Sequence, residues 1–320
     1  MKTDKINPAD NRKCDCGSNT LVLAAGELQS LYAQSYRSRN IILQMTCRAG
    51  KGHIGADFSC IDILTVLYFK VLRIRPDDPT WVERDRFILS KGHAAGALYV
   101  TLAARGFFPE SWLDSYQELD SNLPGHPDRS RLSGIEHSTG SLGHGLPVGT
   151  GLAAGLRMKA ERESAVPRVF VLLGDGELQE GSNWEAAMLG SHLQLNNLIA
   201  IVDRNGLQQG NCTESTVRLE NLSAKWESFG WNVFRCNGHD MEQLIWAFSS
   251  DKESDKPRVI IAETVKGRGV SFMENNPAWH HKVPSAEEQR LAQEEIMQTL
   301  TAIEGNEPGW QTFVQRSQRL

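Results

Sequence analysis

The sequence predicts a doubly wound α/β domain, in which helices flank a mostly parallel sheet on both faces. Two observations lead to this class. Short apolar runs with the length of buried strands, such as 168–173 and 198–203, alternate with longer segments of helical periodicity. A polar residue, Asp175 or Asn205, follows closely after each of these two runs. Strands that alternate with helices form parallel sheets, which bind ligands beyond the carboxyl ends of their strands.

The composition is that of a globular protein, since 40% of the 320 residues are apolar and 23% are charged. The formal net charge of −5 argues against binding nucleic acid or a membrane surface as the main role. No apolar run has the length of a membrane-spanning helix. The first residues also lack the apolar core of a signal peptide. We therefore expect a cytoplasmic protein.

Residues 1–24 are polar, and we interpret them as a flexible N-terminal extension. They contain Cys14 and Cys16, the only closely spaced pair among the six cysteines. No second Cys or His pair follows at zinc-finger spacing, so free thiols are favoured over a metal site. The remainder, 25–320, is predicted to form a single domain with a C-terminal helix that a capping box begins at Ser285.

The first part of the domain is predicted to be helical. Apolar residues recur with a helical period from Leu28 to Met45. A glycine-rich turn follows, and Asp57 or Ser59 is expected to cap a second helix that continues to about residue 72.

A short strand at 85–90 leads into a helix at 94–105, whose first residues are small enough for a sharp turn. Residues 121–145 are rich in Gly, Pro, Ser and His, and a loop of this length is often functional. A helix of small residues, suited to close packing on a sheet, is predicted at 143–163.

The centre of the predicted sheet is a strand–helix–strand unit, which is right-handed by default. It consists of a strand at 168–173, a helix at 178–193 and a strand at 198–203. Two further strands, at 231–235 and 259–263, are predicted on either side of another helix.

Asp175 and Asn205 lie thirty positions apart, each beyond the carboxyl end of a predicted strand. A carboxylate at a strand end can simply cap the following helix. In a parallel sheet, however, the two side chains can meet in one crevice, and their oxygens suit Mg²⁺ or Ca²⁺. The carbonyl of Leu207 can supply a third ligand, while Gly174 and Gly176 allow a phosphate to approach the backbone. We therefore interpret the pair as a metal site that holds a diphosphate.

A group of histidines lies in or beside Gly- and Pro-rich loops: His53, His93, His126, His137, His144 and His280. A single loop histidine is usually structural. Six of them in loops that lead toward one crevice favour a role in proton transfer near pH 7, or in hydrogen bonding to phosphate and hydroxyl groups.

Together these features resemble the transketolase family of thiamine diphosphate enzymes. The similar stretches occur in the same order along about residues 25–285: 52–53, 84–93, 124–127, 139–143, 174–176 followed by Asn205, 180–181 and 279–280. The resemblance implies the thiamine diphosphate-binding fold. It also implies a transferase that moves a two-carbon ketol unit from a ketose phosphate to an aldose or aldose phosphate.

The resemblance implies roles for particular residues. The metal ligands for Mg²⁺ or Ca²⁺ are expected to be Asp175, Asn205 and the carbonyl of Leu207. The expected cofactor contacts are His93, Gly140, Leu142, Gly176, Asn205 and His280. The residues expected to face the sugar and assist proton transfer are His53, His126 and His280. Glu180 is expected in a carboxylate relay at a subunit interface, whereas His137, His144 and His281 have no assigned role.

The resemblance covers only the N-terminal, diphosphate-binding half of a full transketolase. We therefore expect a second subunit that carries the pyrimidine-binding and C-terminal domains, and assembly into a heterotetramer. In the family, the glutamate against the pyrimidine ring comes from the missing domain, so this chain is expected to be inactive alone.

Several alternatives remain open at this point. The chain could be an α-type subunit of a 2-oxoacid dehydrogenase, or part of an enzyme similar to deoxyxylulose-phosphate synthase. It could also be a transketolase specialised for an unusual sugar, or a homologue without catalysis. The histidines and the 124–127 stretch favour transketolase.

Overall fold

A computed structural model describes residues 25–160, 165–250, 255–305, 309, 310 and 313. Its strands are β1 Arg86–Leu89, β2 Val169–Gly174, β3 Leu198–Arg204, β4 Leu207–Gln208, β5 Asn211–Cys212, β6 Asn232–Asn237 and β7 Arg258–Glu263. Its α-helices are α1 Ala25–Ala49, α2 Ile54–Val66, α3 Ala95–Ala104, α4 Gly145–Lys159, α5 Gly181–His192, α6 Thr213–Thr216, α7 Leu222–Ser228, α8 Met241–Ser249 and α9 Ala286–Glu304. The predicted N-terminal extension, with Cys14 and Cys16, lies outside the described residues.

Five strands form one parallel sheet in the order β1-β2-β3-β7-β6. Gly174 at the end of β2 lies opposite Asp203, and Asp203 lies opposite Ala262 in β7. The central strands therefore end at one edge of the sheet, and the residues that follow them meet there.

The sheet is buried on both faces. Phe170 and Leu172 belong to a core shared with α1, α2, α3 and α8. Val169, Val171 and Leu173 belong to a second core on the other face, which includes residues of α4, α5 and α7. Burial on both faces explains why the strands are continuously apolar in sequence. The prediction of a doubly wound, mostly parallel sheet flanked by helices is confirmed.

The predicted start of the second helix was wrong. Helix α2 begins at Ile54, and Asp57 and Ser59 are buried inside it instead of capping it. Asp57 Oδ1 accepts a hydrogen bond from the Ala97 amide at 2.8 Å, and the Ser59 hydroxyl donates to Asp203 at 2.6 Å. These partners are distant in sequence, so a local capping rule could not identify them.

Other helix boundaries differ less. Helix α4 ends at Lys159 and not near residue 163, because Ala160 is already extended. A 3₁₀ turn at Gly176–Gln179 precedes α5, which therefore begins at Gly181 instead of residue 178. The capping box at Ser285 is present at the start of α9, as predicted. In the part of the chain that the structure describes, no helix is long and apolar enough to cross a membrane.

Candidate cofactor site

A cavity of about 320 Å³ lies at the carboxyl edge of the sheet. The predicted site residues that line it are His53, His93, His126, Gly140, Leu142, Asp175, Gly176, Asn205, Leu207 and His280. The structure thus brings together all predicted cofactor, metal and sugar contacts. It does not bring Glu180 to this cavity.

Asp175 lies at the floor of the cavity, directly after β2. It caps the following 3₁₀ turn by accepting a hydrogen bond from the Gly176 amide at 2.7 Å. Its other carboxylate oxygen contacts the guanidinium of Arg204 at 3.0 Å and the amide of Gly206 at 2.6 Å. Burial raises the pKa of Asp175, and the nearby Asp203 adds to the rise, while Arg204 opposes it. The capping function and a position suited to metal binding therefore coexist in one side chain.

Asn205 follows β3 and faces the same cavity as Asp175. Its side-chain oxygen accepts a hydrogen bond from the Leu207 amide at 3.0 Å, and its amide donates to the Ser59 hydroxyl at 3.2 Å. A carboxylate, a carboxamide and a backbone segment from a loop are the oxygen donors that Mg²⁺ and Ca²⁺ prefer. The donor set fits the predicted metal.

Glycines bring the backbone close to this floor. A Cβ atom at Gly92 would lie 2.7 Å from Thr139 Oγ1 and 2.8 Å from the Gly140 amide nitrogen. Gly140 itself has a φ of +153°, which side-chain-bearing residues rarely adopt. At Gly176 an added Cβ would lie 2.8 Å from the Cβ of Gln208. The cavity therefore has a backbone-lined cradle that suits a phosphate group.

Two buried lysines at the floor were missed by the sequence analysis. Lys91 donates to Asp203 and, at 3.2 Å, to the carbonyl of Ala56. Burial alone would lower the pKa of Lys91, but the Asp203 carboxylate outweighs burial and raises it. Lys266 is only 2% exposed, and burial together with the charge of Lys91 lowers its pKa to about 8.

The position of Lys266 could have been a signal. It follows β7 much as Asp175 follows β2 and Asn205 follows β3, so it reaches the same edge of the sheet. Its ammonium group lies 2.9 Å from Nδ1 of His280. A buried cation that contacts only an imidazole is available to an anionic ligand.

Glu177 is another floor residue that the sequence analysis missed. Its buried carboxylate accepts hydrogen bonds from the Gly174 amide at 2.9 Å, the Gly143 amide at 3.0 Å and the Ser90 hydroxyl. It thereby joins the ends of β1 and β2 to the loop before α4. Burial raises the pKa of Glu177.

Histidine rings form the mouth of the cavity. The centroid of the His53 ring lies 5.4 Å from that of His93, 6.3 Å from His126, 5.6 Å from His280 and 4.5 Å from His281. Burial, followed by the neighbouring positive charges, lowers the pKa of His53 to about 4 and that of His280 to about 3. Burial also lowers the pKa of His93 well below its usual value. These three imidazoles are therefore neutral near pH 7.

The remaining predicted residues lie elsewhere. His137 and His144 do not line the cavity, and His144 is exposed at the start of α4. Glu180 is exposed at the start of α5. Exposed apolar side chains lie on α4 and α5: Val148, Met158, Met188, Leu189 and Leu193, the last directly after α5.

Comparison with known proteins defines the family. The model of the thiamine diphosphate-binding domain of transketolase matches residues 34–305. One of the named subunits of apulose-4-phosphate transketolase, from Phocaeicola vulgatus, is 44% identical over 284 residues, which cover 88% of this chain and 99% of that protein. The subunit of the same name from Actinobacillus succinogenes is 47% identical, covering 82% of this chain and 94% of that protein.

Solved structures agree with these relatives. Transketolase from Campylobacter jejuni superposes with a TM-score of 0.78 at 34% identity, covering 84% of this chain and 43% of that one. The chain thus spans less than half the length of that transketolase. It belongs to the transketolase family of transferases, through its thiamine diphosphate-binding domain. In extent it corresponds to the separate N-terminal subunits of split transketolases, so the predicted family and fold are confirmed.

Proposed function

We propose that this chain is the diphosphate-binding subunit of a two-subunit transketolase, which transfers a two-carbon ketol unit from a ketose phosphate to an aldose or aldose phosphate. The observation that carries the proposal is the single cavity in which Asp175, Asn205 and Lys266 at the floor meet histidines at the mouth. Such a cavity can hold a metal–diphosphate group at one end and a sugar at the other.

Thiamine diphosphate with Mg²⁺, or Ca²⁺, is the proposed cofactor. Asp175, Asn205 and the Leu207 carbonyl would hold the metal, and Lys266 would face the diphosphate charge. Arg204 contacts the same carboxylate as the metal would, so the metal must share Asp175 with this guanidinium. The further proposed cofactor contacts are His93, Gly140, Leu142, Gly176 and His280. The bound cofactor supplies a nucleophilic carbon and an electron sink, which the side chains of the protein lack.

The proposed sugar-facing residues are His53, His126 and His280. A neutral imidazole can take a proton from a hydroxyl group or donate a hydrogen bond to it. The lowered pKa values of His53 and His280 keep both rings in this neutral form at pH 7. The mouth of the cavity therefore suits a polyhydroxylated substrate.

A partner subunit with the pyrimidine-binding and C-terminal domains is part of the proposal, as is assembly into a heterotetramer. The relatives are named as single subunits of their transketolases, which supports a second subunit here. Glu180 and the exposed apolar side chains of α4 and α5 support association of two copies of this chain through that face. Glu180 would then take its place in a relay between paired sites.

A substrate other than the common ketose phosphates is a second proposal. Two relatives are named for apulose 4-phosphate, and a Clostridium relative at 38% identity is named for 6-deoxy-6-sulfo-D-fructose. These names support an unusual sugar as the substrate of this chain too. We also propose a cytoplasmic location, which the free thiols of Cys47, Cys60, Cys212 and Cys236 support.

Reconstitution tests the proposed function. The chain is purified alone, and together with a candidate subunit that carries a pyrimidine-binding domain, and each sample is assayed with thiamine diphosphate, Mg²⁺, a ketose phosphate and an aldose. The proposal predicts ketol transfer only in the mixture. Turnover by the lone chain, or none with any such partner while the cofactor binds, would contradict it.

The proposed contact between copies is tested by Leu189→Glu on α5. This change is expected to weaken self-association in sedimentation experiments, because it places a carboxylate on the exposed apolar face. Leu119→Glu is the matched control, since Leu119 is 93% exposed on a different loop. Equal effects of both changes would argue against the α4–α5 face.

A further inference from the structure

His281 lines the mouth of the cavity, yet neither the sequence nor the proposed function assigns it a role. We propose that His281 is a substrate-binding residue, which hydrogen-bonds to hydroxyl groups of the sugar and contributes to the choice of ketose without contacting thiamine diphosphate. The inference rests on the proposed function and adds a sugar contact to it.

Ring geometry is the first observation. The ring centroid of His281 lies 4.5 Å from that of His53 and 4.6 Å from that of His280, the latter pair nearly perpendicular at 82°. One nitrogen from each of the three rings lies within 4.8 Å of the other two. The three rings therefore direct polar atoms toward one small volume at the mouth, which a solvated loop histidine would not do.

Rigid attachment is the second observation. The segment before His281 is anchored by the buried Trp279, whose indole donates to the carbonyl of Phe272 at 3.0 Å. An added Cβ at Gly55 in α2 would lie 2.6 Å from the Trp279 carbonyl oxygen, so this segment packs directly on the helix that follows His53. The spacing between His53 and His281 is therefore fixed by backbone contacts.

Free hydrogen-bonding capacity is the third observation. The ring of His281 is exposed and makes no hydrogen bond to any described residue, and Nδ1 of His53 is buried without a described partner. Ring nitrogens with unused capacity beside an open mouth suit vicinal hydroxyl groups, which both donate and accept.

Electrostatics decides between a sugar and a metal ion as the occupant. Three imidazoles at this separation could also bind a transition metal such as Zn²⁺. The ammonium group of Lys266, however, lies 2.9 Å from Nδ1 of His280, and Lys91 adds a second positive charge nearby. A cationic surrounding opposes a divalent cation and leaves a neutral polyhydroxylated ligand favoured.

The test uses His281→Ala and His281→Asn in the reconstituted two-subunit enzyme. His281→Ala is expected to raise the KM of the ketose phosphate by about 3- to 10-fold, the range of one or two neutral hydrogen bonds. The kcat and the Kd of thiamine diphosphate should stay within about twofold, and His281→Asn should restore part of the loss. His137→Ala is the matched control, because His137 lies in a neighbouring loop but not in the cavity.

A ketose KM of His281→Ala equal to that of His137→Ala overturns the inference, as does a parallel loss of cofactor affinity. Inhibition of the wild type by micromolar Zn²⁺ that His281→Ala relieves, without a change in KM, assigns the rings to a metal instead. Calorimetry with the ketose phosphate separates the two levels of the argument. A wild-type complex that neither binds nor converts a ketose phosphate overturns the proposed function and this inference together, whereas turnover with an unaffected His281→Ala overturns this inference alone.

Discussion

The floor and the mouth of the cavity are built on different principles. At the floor, charged groups have partners within the chain, as Lys91 has in Asp203 and Asp175 has in Arg204. At the mouth, the rings of His53, His126 and His281 make no hydrogen bond to described side chains or backbone. Paired charges fix the positions of groups, whereas unpaired imidazoles keep capacity for a ligand.

This difference separates stability from binding in the two regions. A buried ion pair that loses one member leaves an uncompensated charge, so changes at the floor should destabilise the fold. Changes at the exposed mouth should leave the fold intact and alter substrate handling. Lys266 is the exception at the floor, because its ammonium group has only an imidazole as a close partner.

The largest expected effect is that of Lys91→Met. Asp203 is fully buried, and losing its cation should lower the free energy of unfolding by about 3–5 kcal/mol. Urea denaturation measures this loss, and the double change Lys91→Met with Asp203→Asn should recover part of it. His126→Ala at the mouth is the comparison and should cost less than about 1 kcal/mol. Similar costs for the two single changes would remove the distinction between floor and mouth.

Lys266→Met should have the next largest effect, on anion binding. Charged hydrogen bonds contribute about 1.5–3 kcal/mol, so the affinity for Mg²⁺–pyrophosphate should fall at least about tenfold. The pKa of Lys266 is lowered to about 8, so the wild-type affinity should also decline above pH 8, as the free protein loses the proton that the anion requires. Calorimetry from pH 6.5 to 9.5 checks both, with the variant as its own control for titration of the ligand. An equal decline in the variant would contradict the assignment to Lys266.

The smallest expected effect is on stability in acid. The pKa values of His53 and His280 are about 4 and 3, below the ordinary value of 6.5, so the unfolded chain binds more protons between these limits. Stability should therefore decrease as the pH falls from about 6.5 toward 4. Melting temperatures across this range test the decrease, and the double variant His53→Gln with His280→Gln should show a shallower slope. An unchanged slope would place the acid sensitivity elsewhere.

Much of this organisation was predictable from the sequence. Apolar runs located the strands, and the rule that ligands bind beyond parallel strand ends brought Asp175 and Asn205 together. The glycine-rich loops likewise indicated where His93 and Gly140 would lie. These features depend on local pattern or on the topology of the sheet.

What the sequence analysis missed depends on contacts between distant segments. Asp57 and Ser59 look like helix caps, but they are buried by α3 and by the polar group around Asp203. Lys266 has the appearance of a surface residue in a polar loop and becomes a floor residue only when β7 lies beside β3. The predicted place of Glu180 at a subunit interface stays a prediction, since it requires a second chain.

The most direct test of the account is Mg²⁺-dependent binding of thiamine diphosphate by the reconstituted complex, compared between the wild type and Asp175→Asn. The exposed Asp77→Asn is the control, and melting temperatures verify that the variants fold. The account predicts a loss of affinity of about 100-fold or more for Asp175→Asn and none for Asp77→Asn, because Asp175 is the charged metal ligand. Undiminished Mg²⁺-dependent binding by a folded Asp175→Asn complex would contradict the assignment of the cavity floor to a metal and diphosphate.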